Sequence, residues 1–371
     1  MSNKKQVIVD VSNLAYMTLH SVESGANNGG AWTTPDVESE FTKRFALSLY
    51  STICEHKADL TVFAMDKKLD GKYWRDDVLS AWNDKHITYF KAGDRFVQRR
   101  NGLDYFEDNT KVTKKWLKET KTELENVEAV DVPDDIMLQM SANIDGYKGG
   151  RSRRGWSYEL PSATFAKLIG GVANYVASIV PNVAVTRVAG YEADDIAATL
   201  SQAPQTAESF DEVVLVTKDS DWHQLCRKEY VKLFSLNSKD KELIGFVEMT
   251  PEQSVADLEH KILVGDTSDT IPPCMGVNGQ RVTPTKIGKD GFEASPESYA
   301  RNKKLIELVY DDDLFTEIQH YWENVWNPIP NASWANIRVS EIELERTKFN
   351  ASLNGVFNAW NAGFVIPTND E

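Results

Sequence analysis

The sequence has only three cysteines, Cys54, Cys226 and Cys274, in 371 residues, and no two of them form a CxxC pair. That excludes a disulfide framework and gives no sign of a zinc site, so the thiols are expected to be reduced and buried. No window approaches the ~18 consecutive apolar residues that a membrane span requires. The opening MSNKKQVIVD lacks the apolar stretch and cleavage site of a signal peptide. The expectation is a soluble, cytoplasmic protein with no membrane partner. Internal repeats and low-complexity tracts are also absent. An excess of basic charge is missing too: 41 Lys and Arg face 56 Asp and Glu, for a net charge of −15. Such a total argues against a surface that is basic throughout, but local patches survive within it. Tyr147 to Lys167 holds five basic residues and one acid, and Arg281 to Lys304 holds six against three.

The length suits one large domain or two lobes, because single cores stop growing near ~250–300 residues. The short runs Gln6–Val9, Leu60–Met65, Asn182–Val188 and Glu212–Thr217 are rich in Val and bounded by polar residues, Gly or Pro, as buried strands are. Between them, Glu38–Glu55, Ser162–Ile179 and Ala193–Gln202 carry helical patterns. Strand alternating with helix predicts a doubly wound α/β fold with a mostly parallel sheet. Residues 76–146 break the rhythm and read as an insertion, with an amphipathic helix near Val112–Glu125. From Thr250 the pattern turns helical through Leu258–Val264, Tyr299–Tyr310 and Phe315–Trp326. The expected division is therefore an α/β domain over residues 1–249 and a smaller helical lobe over 250–371.

Asp10 follows QVIV and Asp66 follows LTVFAM, so each is expected at the carboxyl end of a parallel strand, where open α/β sheets build their sites. Asp219 and Asp221 follow the strand Glu212–Thr217 and are two residues apart. Any one of these is most simply a loop aspartate or a helix cap. Four on one sheet edge are harder to explain that way. Glu192, Asp194 and Asp195 open a helix, where first-turn acids are favoured by the helix dipole without further purpose, yet three exceed what one cap needs. Asp266 and Asp269 lie in the turn-like GDTSD. These nine acids form a hard-oxygen set suited to magnesium or manganese. Two ions about 3.5–4 Å apart are the usual device for phosphodiester hydrolysis.

In order, VIVDVSNL, VFAMD, YWR, YKGGR, GYEADDIAATL, VLVTKDSDWHQL and LVGDTSDTIPPCMGV resemble the flap endonuclease and 5′-nuclease superfamily, especially its bacteriophage 5′→3′ exonuclease and RNase H branch. The resemblance implies a PIN-like sheet and a helical lobe carrying a helix–hairpin–helix-like DNA-binding element. It implies that Asp10, Asp66, Glu192, Asp194 and Asp219 surround a first metal. Asp195, Asp221, Asp266 and Asp269 would hold a second, some through water. It also gives Lys148 and Arg151 a place in an arch over the reacting phosphate, with Arg75 at the arch base. The spacing departs from the family: about 70 residues separate Arg75 from Tyr147, where roughly ten are expected. That insertion offers its own basic set, Lys91, Arg95, Arg99 and Arg100. Gly276, Asn278, Gly279, Arg281, Lys286 and Lys289 resemble the duplex-binding hairpin, whose backbone N–H groups meet phosphate. A solvated basic loop is the plain alternative for both segments. Trp74, Trp156 and Trp222 are candidates for base stacking, although core packing is the commoner use of such residues.

The expected activity is a two-metal phosphodiesterase, with magnesium replaceable by manganese. It would act as a 5′→3′ exonuclease or flap endonuclease on DNA and RNA–DNA hybrids with a free 5′ end, clearing RNA primers or 5′ flaps in phage-type replication. The location would be the host cytoplasm if the chain is phage-encoded. A PIN-like RNase and a catalytically silent scaffold for branched DNA are the rivals. The tail Gly355–Glu371, with Phe357, Trp360 and Phe364, suggests docking to a clamp or single-strand-binding protein.

Overall fold

The structure, a computed structural model, describes residues 3–29, 33–100, 103–120, 129–141, 144, 147–148, 158–180, 182–236, 245–277 and 293–324. The chain divides into two compact units that are discontinuous in sequence: Met1–Gly71 with Trp156–Ser254 and Leu308–Glu371, and Lys72–Gly155 with Val255–Glu307. The expected single boundary after residue 249 is a different partition. Among the described residues, 308–324 group with the sheet, and those of the insertion group with 255–307.

The first unit is built on strands β1 (Lys5–Asp10), β2 (Leu60–Ala64), β6 (Val183–Thr186), β7 (Glu212–Thr217), β8 (Val231–Ser235) and β9 (Gly245–Val247). Their order is β6-β2-β1-β7-β8-β9, and every pairing is parallel except β8 with β9. Because successive side chains point to opposite faces, each central strand feeds two cores. Val7, Val9, Phe63, Val214 and Val216 pack with Phe41, Phe45, Leu49, Phe165 and Val172. These come from helices α2 (Thr34–His56) and α6 (Ser162–Ile179), and α1 (Val11–Gly29) adds Leu14, Ala15 and Leu19. Ile8, Val62, Ala64, Val213 and Leu215 face the other way. They meet Ile196 and Leu200 of α7 (Ala193–Gln202) and Leu314 and Ile318 of α11 (Asp312–Asn324). Helices on both faces are what a parallel sheet requires. The stripe of Leu314, Phe315 and Ile318 explains why α11 belongs to this unit and not to a separate lobe.

The second unit holds an antiparallel sheet of β3 (Thr88–Ala92), β4 (Arg95–Arg100) and β5 (Leu103–Phe106), in the order β3-β4-β5. Its small core is Phe90, Val97, Phe106 and Val112, with Trp116 of α4 (Lys114–Thr120) against it. A second cluster joins Leu79 of α3 (Trp74–His86) and Tyr147 to Leu258, Ile262, Ile271, Leu305 and Ile306. Helices α9 (Pro251–Val264) and α10 (Pro296–Ile306) supply most of that list. Cys226 and Cys274 are buried as expected, whereas Cys54 is only half-buried. Among the described residues, no helix is long and apolar enough to cross a membrane.

Candidate active site

Parallel registry aligns the strand ends of the first unit. Asp10 pairs with Ala64, and Val9 with Val216, so Asp66 and Asp219 each follow the sheet edge by two residues. Each of these carboxylates also receives a backbone N–H from the start of a helix. Asp10 Oδ1 accepts from Asn13 N of α1 at 2.9 Å. Asp66 Oδ1 accepts from Ala193 N of α7 at 2.8 Å. Asp219 Oδ1 accepts from Asp221 N, at the head of the 3-10 helix Ser220–Arg227, at 2.9 Å. The capping explanation and the functional one are thus compatible, since a helix start stabilises an anion that still presents its second oxygen.

A hydroxyl links two of the acids. Thr217 Oγ1 donates to Asp10 Oδ2 at 3.0 Å and accepts from Asp219 N at 2.9 Å. Asn13 Nδ2 donates to the same Asp10 oxygen at 2.6 Å. Asp10 is buried while Asp66 is exposed. Burial first, and then the charges of Asp66 and Asp219, push the Asp10 carboxyl up to about 6 against the pull of the Asn13 hydrogen bonds. Among the described residues, Asp10, Asp66 and Asp219 have no ion pair with Lys or Arg.

At the start of α7, Glu192 is buried, and its backbone N–H donates to Asp195 Oδ2 at 3.0 Å. That is the capping arrangement. Asp194 accepts from the indole of Trp222 at 2.7 Å. Trp222 is fully buried, which removes it as a base-stacking surface and makes it the group that positions Asp194. Neither the Thr217 bridge nor the Trp222 bond was foreseen. A threonine closing an apolar strand two residues before Asp219 was the available signal for the first.

In the second unit, Asp266 and Asp269 share a tight loop. Asp266 and Ile271 exchange both backbone hydrogen bonds, at 2.9 and 2.7 Å. Gly265 has φ +73°, and a Cβ there would lie 2.6 Å from Ile271 O and Pro272 C and O, so only glycine suits the turn. Asp266 pairs with Lys261 Nζ at 2.8 Å and accepts from Ser268. Burial pushes its carboxyl up, but the bonds to Lys261 and Ser268 outweigh that and bring it down to about 2. Asp269 is buried and accepts from Tyr147 Oη at 3.0 Å, and its carbonyl accepts from Lys148 N.

The expected nucleic-acid contacts divide. Arg75 is 2% exposed, donates to the Leu305 carbonyl at 3.0 Å, and stacks on Trp74 at 4.4 Å. In this arrangement its guanidinium is an internal brace, not a surface contact. Lys148 is half-buried, with φ +57° and its ammonium over the rings of Tyr147 and Tyr73. Gly276 is buried and bridges Ala294, and Val277 N donates to Glu293 O, so the chain on either side of residues 278–292 is tied together. Asn278, Gly279, Arg281, Lys286 and Lys289 lie outside the described residues, as do Arg151, Trp156 and the tail 355–371. The insertion's basic residues are engaged: Arg95 by Glu107 and Asp108, Arg99 by Asp104, and Arg100 by Asn109, while Lys91 lies over Phe96. Among the described residues, no three acid, His or Cys side chains stand ready as a metal cage.

Residues 110–257 match the family described as "5'-3' exonuclease, N-terminal resolvase-like domain". Over this stretch the chain is similar to that family. The matched stretch contains Lys148, Arg151 and the acids from Glu192 to Asp221, while Asp10, Asp66, Asp266 and Asp269 fall outside it. The α/β architecture is the expected doubly wound one, with its sheet parallel apart from β9. Among solved structures, the T5 D15 protein co-crystallised with metal ions is similar at 14% identity and a TM-score of 0.38, over 94% of this chain and 99% of that one. A T5 5′-exonuclease mutant gives 15% and 0.40, over 86% and 98%. A bacteriophage T5 D15 flap endonuclease complex with DNA and metal ions gives 13% and 0.39, over 95% and 100%. No curated protein matches the chain.

Proposed function

We propose that the protein is a divalent-metal-dependent 5′→3′ exonuclease and flap endonuclease acting on DNA and RNA–DNA hybrids, in primer or flap removal during phage-type replication. The observation that carries this reading is the set of three strand-end carboxylates held by three helix starts, with Asp10 pushed up to about 6 by burial and by its acidic neighbours. A buried carboxylate with two acidic neighbours and, among the described residues, no Lys or Arg paired to any of the three fits a divalent cation. Asp10, Asp66, Glu192, Asp194 and Asp219 would hold one ion. Asp195 and Asp221 are assigned to a second, and the family resemblance alone adds Asp266 and Asp269. Magnesium, or manganese in its place, would activate water and stabilise the leaving oxygen of a phosphodiester.

The residues themselves do the placing. Thr217 fixes the second Asp10 oxygen and the turn into Asp219. Trp222 fixes Asp194. Lys148 and Arg151 are assigned to the phosphate beside the cut, and the segment from Gly276 to Lys289 to duplex phosphates, with Arg75 as the brace beneath. A clamp or single-strand-binding protein at the tail completes the proposal.

The test is a time course on a flapped or RNA-primed duplex labelled at either end, with magnesium, manganese, calcium or EDTA. Short products from the 5′ end, with magnesium or manganese only, are expected. Shortening from the 3′ end alone overturns the polarity, and binding without turnover in either metal favours the scaffold rival.

A further inference from the structure

The second unit carries a solvent-open cavity of about 250 Å³. Its walls combine Leu79 of α3, Leu103 and Tyr105 of β5, and Pro272 of the segment that follows the Asp266–Asp269 loop. Two of its features point to a flat, hydrogen-bonding guest. Arg100 lies over the Tyr105 ring at 4.2 Å, which makes a stacked aromatic and guanidinium pair at the wall. Asn83 lines the cavity and is 9% exposed, and its side-chain amide has no hydrogen-bond partner among the described residues. That amide offers a donor and an acceptor to a ligand edge that reaches it.

We propose that this cavity takes one unpaired nucleobase of the substrate strand. The base would stack against Tyr105 and Arg100, with its hydrogen-bonding edge on Asn83. The volume is below the range of about 300–1,000 Å³ typical of drug-sized ligands and suits a single ring system. An aromatic and guanidinium pair beside an amide matches how proteins hold splayed-out bases, and an Asn amide can pair with a base edge in two bonds. Thr267 and Thr270 line the cavity and belong to the same loop as Asp266 and Asp269, so a base held here is tied to that loop. The inference rests on the nuclease reading for its choice of ligand.

The experiment measures binding of the full chain, in EDTA, to a flapped DNA duplex whose unpaired strand carries a single abasic site at successive positions. Loss of one stacked base should weaken binding about 5- to 50-fold at one position and little elsewhere. A 2-aminopurine placed at that position should change its fluorescence on binding. Asn83→Ala and, independently, Tyr105→Leu should flatten the positional effect by bringing binding of the unmodified duplex toward that of the abasic one. A flat abasic scan in the wild type overturns the proposal, and it does so without relying on any variant to fold. Cleavage with a flat scan removes only the base pocket. A positional effect without metal-dependent cleavage removes the nuclease reading and leaves the pocket standing.

Discussion

Asp10 and Asp266 are the same residue type, both largely withdrawn from water, and they are driven in opposite directions. Asp10 is raised to about 6 by burial and by the other acids of the sheet edge. Asp266, despite its own burial, is held at about 2 by Lys261 and Ser268. The difference lies in the company each keeps. At the sheet edge, Asp10, Asp66 and Asp219 meet hydroxyl, amide and N–H donors and, among the described residues, no paired Lys or Arg, whereas Asp266 is met by an ammonium of its own unit. A sheet edge of the first kind gains from an external cation. The loop of the second kind is already neutralised, and a metal there would have to compete with Lys261.

The largest expected break in this comparison is Asp219→Asn. Removing one of three mutually coupled carboxylates should lower cleavage by more than roughly 100-fold, beyond the loss typical of residues that only support a metal ligand. Unchanged rates at saturating magnesium would detach the sheet edge from the chemistry. Thr217→Val tests the bridge below it. Loss of the hydroxyl should cost about 10- to 100-fold in activity or metal affinity, and Thr217→Ser should restore most of it. A serine that fails to rescue would show that shape, not the hydrogen bond, matters there.

On the second unit's side, Gly265→Ala should destabilise the protein by about 2–3 kcal/mol, because the added methyl meets backbone atoms that cannot move aside. The shift in denaturant midpoint reads it. A near-neutral result would mean that the turn is less tightly determined than its contacts indicate.

How much of this was legible in the sequence follows the physics of each signal. Strand ends carrying Asp10, Asp66 and Asp219 could be read because a Val-rich run followed by an acid is a local pattern. Helix α1 was also within reach, since Val11, Leu14, Ala15, Leu19 and Val22 keep a helical spacing and all are buried, but the run directly abuts β1 and was not separated from it. Strand β8 is short and alternates with Lys232, and β9 has three residues, so neither stood out. The β3–β5 meander was read only as a break in rhythm. Its Arg residues stood out as a basic set because their partners, Asp104, Glu107, Asp108 and Asn109, come from the next strand and the turn after it. The pairing of Lys261 with Asp266 was invisible for a similar reason: it crosses a glycine in a left-handed conformation, where helical spacing no longer tells which side chains meet. The burial of Arg75 likewise depends on Leu305, 230 positions away.

The smallest effect is also the most direct test of the contrast, and it uses stability without metal. An aspartate whose folded pKa is raised from 3.8 to about 6 is ionised at neutral pH at a cost to the folded state, and that cost disappears as pH falls through 6 toward 3.8. Asp10→Asn should therefore stabilise the protein in EDTA at pH 7 by about 1–2 kcal/mol while abolishing cleavage. Asp266 has the opposite sign. With its folded pKa lowered from 3.8 to about 2, it contributes stability that is fully present above 3.8 and is lost as pH falls toward 2. Asp266→Asn should destabilise by about 1–3 kcal/mol at pH 7, because the ion pair with Lys261 is lost. That difference should shrink as pH falls from 3.8 toward 2. Denaturant titrations of both variants and the wild type at pH 7, 5 and 3 decide the matter. If the two variants shift stability in the same direction at pH 7, the two acids do not differ in the way their surroundings imply, and the reason for expecting a cation at the sheet edge falls with that difference.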